Sequence, residues 1–568
     1  MAPNLTCKTR PTIALAQINS RIGDFAGNRA QILDAVAAAV AQVRDPSQLL
    51  VVTPELALCG YPPRDLLYDR DFVREALAAT ATLARALHEQ HADGPAVLCG
   101  SLMQAPPQEV QQPQHPGLYD AAVLLQGGTA VAHVAKRLLP VYDVFYEPRW
   151  FVPGPIGKPL QWGRHQLGVL ICEDLWDDAY AVHPAAELRA AGADLLICLS
   201  ASPYRQGVLG QRRLHAARAA ALGAPVVYVN AVGAQDELIF DGGSFVLSAT
   251  GDRVHALPCF AEAVQICDVD ALLRGALPPC PAADLPREEE ILRALSLGVR
   301  DFCRKNGVRR AFVGLSGGID SALVLCIAVR ALGADAVTAL TLPSRYNDPR
   351  STQEAKALCH ALGVHCEEIS IDPLLSACEA QLRPGLDRAL GRPADSSPHD
   401  DTTFENVQAR LRALVLMAYV NRRGGILLNT SNKTELSVGY STLYGDMSGA
   451  LGVIADLTKP DVYALCRHIN ATAPSGAGPI PSFILDRPPS AELRPDQVDP
   501  FDYDRESPPI EALVQNQPPR DGAHATDLAR YRRLLRGAEH KRWQFGIALK
   551  VSERAFGTGR MMPVTRAR

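Results

Sequence analysis

Between residues 11 and 270 short apolar runs recur between polar or Ala-rich stretches: LLVVTPEL (49–56), AVLCGSL (96–102), AAVLLQGG (121–128), LGVLICED (167–174), DLLICLSAS (194–202) and APVVYVNAV (224–232). Runs of this length, rich in β-branched residues, suit strands covered on both faces. Intervening segments such as Asn28 to Val43 and Ala185 to Ala191 carry helix formers, and 121–134 reads as a hairpin rather than a crossover. The pattern predicts a layered α/β domain over 11–270.

A Pro-rich stretch, GALPPCPAADLP (275–286), shows little apolar periodicity and marks a connection, taken as 271–287. A new pattern follows over 288–568. Glu288 to Lys305 reads as a helix, and RRAFVGLSGGIDSALVLCIAVRALG then gives strand, Gly-rich turn and helix. AVTALTLP is the next strand and STQEAKALCHALG the next helix, which completes a nucleotide-binding style βαβ unit. Segments 383–403 and 472–509, rich in Pro, Ser and Asp, read as mobile loops around a second site.

At about 150 residues per domain, 568 residues correspond to about 3.8 domains, which suits two large units as well as four small ones. With 47% hydrophobic and 21% charged residues the composition is globular, against disorder or collagen. The net charge of −4 supplies no cationic field, so no nucleic-acid partner is expected. No basic segment followed by an apolar run opens the chain, and the uncharged stretches 219–235 and 468–485 are broken by Gly, Pro and Asn. The expectation is a cytoplasmic protein without a membrane partner. Fourteen cysteines are scattered with no Cys-x-x-Cys pair, which excludes a zinc ribbon or dithiol motif.

Three strand-like runs each end in one reactive residue: Glu55, Lys136 and Cys172. A thiol becomes a strong nucleophile on losing its proton, and a nearby cation with a carboxylate base supplies that activation. Taken singly, each residue fits packing or solvation equally well. Together PELALCGYPPRDLL, AKRLLPVYDVFYEPRWF and ICEDLWDD resemble the nitrilase-type carbon–nitrogen hydrolases, in particular their glutaminase domains. The resemblance implies an α-β-β-α sandwich with a Glu-Lys-Cys triad on Glu55, Lys136 and Cys172. Cys172 would attack the side-chain carbonyl of glutamine, Lys136 and the backbone N–H after Cys172 would stabilise the oxyanion, and Glu55 would move the protons. It also puts Tyr61, Tyr142, Ser200 and Ser202 around glutamine, with packing as the alternative for each. Glu147 would position Lys136, or form an ordinary ion pair.

LSGGIDSA (315–322) lies between strand and helix, where backbone amides and a helix N-terminus can cradle an anion. The Gly-Lys-Ser/Thr ending of the Walker loop is missing; Ser316 and Ser321 offer hydroxyls and Asp320 an oxygen ligand for Mg²⁺. SGGIDS resembles the PP-loop of ATP pyrophosphatases. ENVQARLRA, LLNTSNKTELSVGY, STLYGDMSGAL, DLTKPDVY, HKRWQ and AFGTGRMMP resemble the NAD synthetases over 288–568. This resemblance implies a doubly wound parallel-sheet domain of the adenine nucleotide alpha hydrolase-like type, using ATP and Mg²⁺ to adenylate deamido-NAD. It places Asp320 and Glu435 as Mg²⁺ ligands and Ser316, Gly317, Gly318, Ser321, Arg345, Thr430 and Lys459 at ATP. Asn406, Arg410 and Glu435 fall near the dinucleotide. The alternatives are solvated charges for Glu435 and Asp446, a helix-start cation for Lys459 and a helix cap for Asn406. FDYDRESPPIEAL departs from the family pattern, so no substrate contact is assigned over 499–510, nor between Pro384 and Thr403.

Jointly the two halves resemble glutamine-dependent NAD synthetases, in which a glutaminase delivers ammonia to an acyl-adenylate. Such coupling implies an internal path for ammonia, and the family implies a homo-oligomer. A ligase for another carboxylate, a tRNA-modifying PP-loop enzyme and a non-catalytic glutamine sensor are the other readings. The second lacks a basic face here, and the third would have lost reactive groups that this chain keeps.

Overall fold

The computed structural model describes residues 10–565 apart from 111, 113, 282–283, 392–400, 475 and 519–524. Contacts divide the chain into two units, one ending at Asp284 and the other starting at Leu285. The division falls inside the segment expected as a connection. Residues up to 280 stay on the first unit, because the Cys280 N–H donates to the Arg253 carbonyl at 2.7 Å.

In the first unit β1 (Thr12–Gln17), β2 (Leu49–Val52), β3 (Ala96–Gln104), β4 (Leu118–Gln126), β5 (Thr129–Ala135) and β14 (Ala263–Asp268) form a sheet ordered β14-β1-β2-β3-β4-β5. A second sheet, β13-β12-β9-β8-β7-β6, comprises β6 (Leu160–Trp162), β7 (His165–Ile171), β8 (Leu195–Ser200), β9 (Val226–Asn230), β12 (Phe245–Leu247) and β13 (Arg253–Ala256). Between them in sequence, β10 (Val232–Gln235) and β11 (Leu238–Asp241) make a separate hairpin.

Alternation along the strands assigns the layers. Ile13, Leu15, Leu50 and Val52 of the first sheet meet Val169, Ile171, Ile197 and Leu199 of the second in one shared core. The intervening residues Ala14, Ala16 and Val51 face α1 (Phe25–Val40) and α2 (Arg70–Gln90). On the far side Leu170, Leu196 and Cys198 face α3 (Pro184–Ala190) and α4 (Val208–Ala220), and α5 (Val269–Leu273) follows β14. Each buried Leu or Ile contributes about 1.5–3 kcal/mol, so two-faced burial is what the uninterrupted apolar runs encode. The result is the expected α-β-β-α sandwich. The hairpin expected over 121–134 is β4–β5, turned at Gly127 and Gly128 with φ of 57° and 82°.

The second unit carries α6 (Arg287–Lys305), β15 (Ala311–Gly314), α7 (Ile319–Leu332), β16 (Val337–Thr341), α8 (Pro349–Leu362), β17 (His365–Glu368), α9 (Asp372–Leu390) and α10 (Thr403–Arg423). β18 (Ile426–Asn429), α11 (Lys433–Val438), β19 (Leu451–Gly452), α12 (Lys459–Ala471), α13 (Ser482–Asp486), α14 (Tyr503–Gln515), α15 (Ala525–Gly537), α16 (Glu539–Arg542) and β20 (Ile547–Ala548) complete it. Its sheet runs β17-β16-β15-β18-β19-β20 with every pair parallel. Strand order grows outward on both sides of the β15–β18 pair, which makes that pair the switch point where a doubly wound sheet opens a crevice at its carboxyl edge.

Two expected loops are corrected in part. Residues 383–390 continue α9 through Pro384, 392–400 lie outside the described residues, and 503–515 form α14 although Pro508 and Pro509 lie within it. Asp502 caps α14 by accepting the Arg505 N–H, and Tyr503, Ser507, Ile510 and Val514 are buried at helical spacing. That apolar face outweighs the prolines, whose composition had read as loop. Among the described residues no helix is long and apolar enough to cross a membrane.

Candidate active sites

β7 ends at Ile171, and Cys172 turns the chain with φ of 41°, a left-handed conformation that costs a non-glycine residue of order 1–3 kcal/mol. The buried carboxylate of Asp174 holds this turn. One oxygen accepts the Ile171 N–H at 3.0 Å; the other accepts the N–H groups of Arg137 at 3.0 Å and Leu138 at 2.9 Å. A single side chain therefore ties the Cys172 turn to the segment after Lys136.

Lys136 lies just past β5, and its Nζ donates to Glu55 at 2.6 Å and to Glu147 at 2.9 Å, with Asp120 at 3.7 Å. All four side chains are buried. Glu55 also accepts the Ala201 N–H at 2.7 Å, and Glu147 accepts the Tyr61 hydroxyl at 2.8 Å. The Ser200 hydroxyl reaches Cys172 Sγ at 3.4 Å and Tyr228 at 2.8 Å. Oxygens of Glu55, Asp120 and Glu147 lie within 4.8 Å of one another, as in an oxygen-lined metal pocket, but the Lys136 ammonium is the cation among them.

Burial, reinforced by the Glu55 charge, drives the Cys172 thiol well above its usual range, while Lys136 and Ser200 pull the other way. Burial also disfavours the Lys136 ammonium, yet Glu147 and Glu55 outweigh it and keep it charged. Glu147 is pushed up to about 7, chiefly by burial. The resting thiol is thus neutral and needs a base beside it at the moment of attack.

The other pocket residues sit differently. Tyr142 is half exposed and donates to Glu173 at 2.9 Å; Tyr180 donates to the same carboxylate at 2.9 Å. Glu173, directly after Cys172, carried no separate signal in the sequence. The Ser202 hydroxyl oxygen accepts from Arg212 Nε at 3.1 Å, and its N–H donates to Asn230 at 2.9 Å. Arg212 is fully buried, and its Nη1 donates to both Asp241 oxygens at 2.7 and 2.9 Å. Arg212→Met is expected to lower stability by about 3–5 kcal/mol in urea unfolding, because it strands a buried carboxylate. Adding Asp241→Asn should restore part of that loss; an unchanged midpoint for the single variant would contradict the assignment.

In the second unit β15 leads into the Gly-rich turn and α7. Gly317 has φ of 81°, and a Cβ there would stand 2.4 Å from the Ser351 carbonyl oxygen, so conformation and space both call for glycine. Ser316, Gly317, Gly318, Ser321, Thr430 and Lys459 line a cavity of about 300 Å³ together with Asp320 and Glu435. Lys459 opens α12, where the helix dipole disfavours a cation. Its Nζ is instead held 2.5 Å from Asp320 and 3.4 Å from Glu435. Asn432 Nδ2 donates to the other Asp320 oxygen at 3.0 Å. Burial, then the Asp320 charge, pushes Glu435 up to about 8. Two carboxylates sharing one ammonium form a hard, electron-rich donor pair, which suits a Mg²⁺ that brings phosphate oxygens as its remaining ligands.

Arg345, Asn406 and Arg410 do not reach the cavity wall. Arg345 is two-fifths exposed and pairs with Asp372 at 3.1 Å. Asn406 accepts from Thr442 at 2.7 Å, and Arg410 donates to the Leu443 carbonyl at 3.1 Å. Arg412 and Arg487 line the cavity instead. Ala409, Arg412, Ala413 and Leu416 share one face of α10, so helical periodicity would have selected Arg412 over Arg410. Arg412 donates to the Leu342 carbonyl and to Asn347, both at 3.0 Å, and burial lowers it to about 10. Asp446 lines the cavity and accepts the Thr442 N–H at 2.7 Å, and Asp499, in the unassigned segment, lines it too.

Two family models match the chain: carbon-nitrogen hydrolase over residues 12–277 and NAD synthase over 291–544. A glutamine-dependent NAD(+) synthetase of Synechocystis sp. is 39% identical over 98% of this chain and 99% of that protein. One from Rhodobacter capsulatus is 39% identical over 97% and 98%. The solved structure of a glutamine-dependent NAD+ synthetase from Acinetobacter baumannii, in complex with adenosine diphosphate, superposes with a TM-score of 0.75 at 31% identity and covers 98% of both chains. Similarity at this level along the whole length, over both units, means that the chain belongs to the glutamine-dependent NAD(+) synthetase family.

Proposed function

We propose that the chain hydrolyses glutamine at Cys172 and uses the ammonia to amidate adenylated deamido-NAD, giving NAD, AMP, pyrophosphate and glutamate. The observation that carries the reading is the Lys136 ammonium fixed at 2.6 Å from Glu55 and 2.9 Å from Glu147 beside a buried thiol on a left-handed turn. Cys172 Sγ attacks the glutamine side-chain carbonyl as Glu55 takes the thiol proton. Lys136 and the Glu173 backbone N–H face the developing oxyanion, and Glu55 returns the proton to the departing ammonia. Water, deprotonated by Glu55, then clears the thioester. Tyr61 acts through Glu147, and Tyr142 with Glu173 offers polar contacts to the amino acid end of glutamine.

In the second unit Ser316, Gly317, Gly318 and Ser321 present hydroxyls and amides to ATP phosphates, with Lys459 as the cation. Arg412 fills the place expected for Arg410. Asp320 and Glu435 would hold Mg²⁺, which when bound neutralises charge on the leaving pyrophosphate. This reading assigns glutaminase chemistry to 11–270 and synthetase chemistry to 288–568. A cytoplasmic homo-oligomer belongs to the same reading through the family resemblance.

Equimolar glutamate, AMP, pyrophosphate and NAD from glutamine, ATP and deamido-NAD would meet the proposal. Glutamate release without AMP would refute the second half. Asp174→Asn replaces one acceptor oxygen with a donor and loosens the Cys172 turn from the Lys136 segment. A hydrogen bond to a charged acceptor is worth about 1.5–3 kcal/mol, so kcat with glutamine is expected to fall about tenfold or more while the ammonium-driven rate holds.

A further inference from the structure

Asp120 lies in β4 opposite Leu102 of β3, and its backbone carbonyl accepts the Lys136 N–H at 2.8 Å. The groups facing its carboxyl are Glu55 and Glu147, each with an oxygen within 4.8 Å, the Lys136 ammonium and the Cys59 thiol. Lys136 directs its hydrogens to Glu55 and Glu147 at 2.6 and 2.9 Å and leaves Asp120 at 3.7 Å. Both Asp120 oxygens are buried and receive no hydrogen bond from any described donor. An ionised carboxylate only accepts, so in this position it would meet the Glu55 charge with no hydrogen bond on either oxygen, offset only by the Lys136 ammonium at 3.7 Å that Glu55 and Glu147 already share. A carboxylic acid has a hydrogen to give, and Glu55 is the acceptor beside it. Burial first, and Glu55 next, hold its pKa well above the usual carboxylate range.

We propose that Asp120 is a positioning residue of the glutaminase reaction: as the neutral acid it donates its O–H to the Glu55 carboxylate and keeps that group ionised as the base for Cys172. The inference rests on the glutaminase reading given above. Three buried carboxyls then surround one ammonium with a single proton added, which brings their combined charge with Lys136 from −2 to −1.

The test combines two substitutions with two measurements. Asp120→Asn retains a donor toward Glu55, and Asp120→Leu retains the approximate volume without one. In pH profiles of kcat/KM for glutamine, Asp120→Asn is expected to leave the acid limb in place. Asp120→Leu should move it upward by about 1–2 pH units, the worth of one charge-assisted hydrogen bond. An acid limb moved downward in Asp120→Asn would mean that an anion had been removed beside Glu55, and would overturn the proposal. Independently of activity, infrared difference spectra with ¹³C-labelled aspartate should show a protonated-carboxyl band at neutral pH that Asp120→Asn abolishes; a band absent from the wild type would also overturn it. A wild type that releases no glutamate would instead defeat the glutaminase reading, and the infrared result would still decide whether Asp120 is neutral.

Discussion

Cys172→Ala protein is expected to lose glutamine-dependent NAD formation by about 10⁴-fold or more while making NAD from ammonium within about threefold of the wild-type rate. The asymmetry follows from where Cys172 sits. Its thiol is buried at the end of β7, and its turn is held through Asp174, whose bonds go to the backbone and survive the substitution. Lys136 keeps Glu55 and Glu147 as partners, so the pocket is not left with an unpaired charge. The methyl of alanine fits wherever Cys172 fits and cannot form the thioester. Parallel loss of the ammonium-driven rate would mean that Cys172 supports the second unit, contrary to this account.

The second large effect lies at Lys459. Lys459→Met is expected to reduce NAD synthesis from both nitrogen donors by about 10²–10³-fold, the size of effect seen when one charge-stabilising group is removed from a reacting centre. Asp320 and Glu435, now bridged at 2.5 and 3.4 Å, would face each other without that cation. Metal would then be drawn to them more strongly, so the Mg²⁺ dependence should shift to lower concentration even as turnover falls. Glutamate release measured alone should persist, because the glutaminase residues are untouched. Equal loss of glutamate release and NAD would contradict the assignment of Lys459 to the second site.

Residues at the ends of apolar runs were legible in the sequence. Glu55, Lys136 and Cys172 each interrupt such a run, and the chain brings them to the same carboxyl edge of the sandwich, where Lys136 bonds Glu55 directly. The Gly-rich turn was legible for the same reason, since a strand and a helix flank it on both sides. Residues that act through neighbours left no such mark. Asp120 is one polar position inside an apolar strand, and its meaning comes from Glu55 and Lys136, 65 and 16 positions away. Asp174 resembles any acidic residue after a strand until its bonds to Arg137 and Leu138 are seen. Arg410 and Arg412 differ only in helical phase, which motif matching ignores and the packing of α10 decides. The prolines of α14 misled because composition ranks residues one at a time, whereas burial of Tyr503, Ser507, Ile510 and Val514 is a property of their spacing.

The central claim is that the nitrogen of the new amide travels from glutamine through Cys172. Its most direct test is a single turnover with ATP, Mg²⁺, deamido-NAD, amide-¹⁵N glutamine and a limiting pool of unlabelled ammonium, run on the wild type and on Cys172→Ala. The account predicts ¹⁵N in the NAD made by the wild type and only unlabelled NAD from the variant. Labelled NAD from Cys172→Ala, or wild-type glutamate released with no NAD or AMP formed, would contradict it.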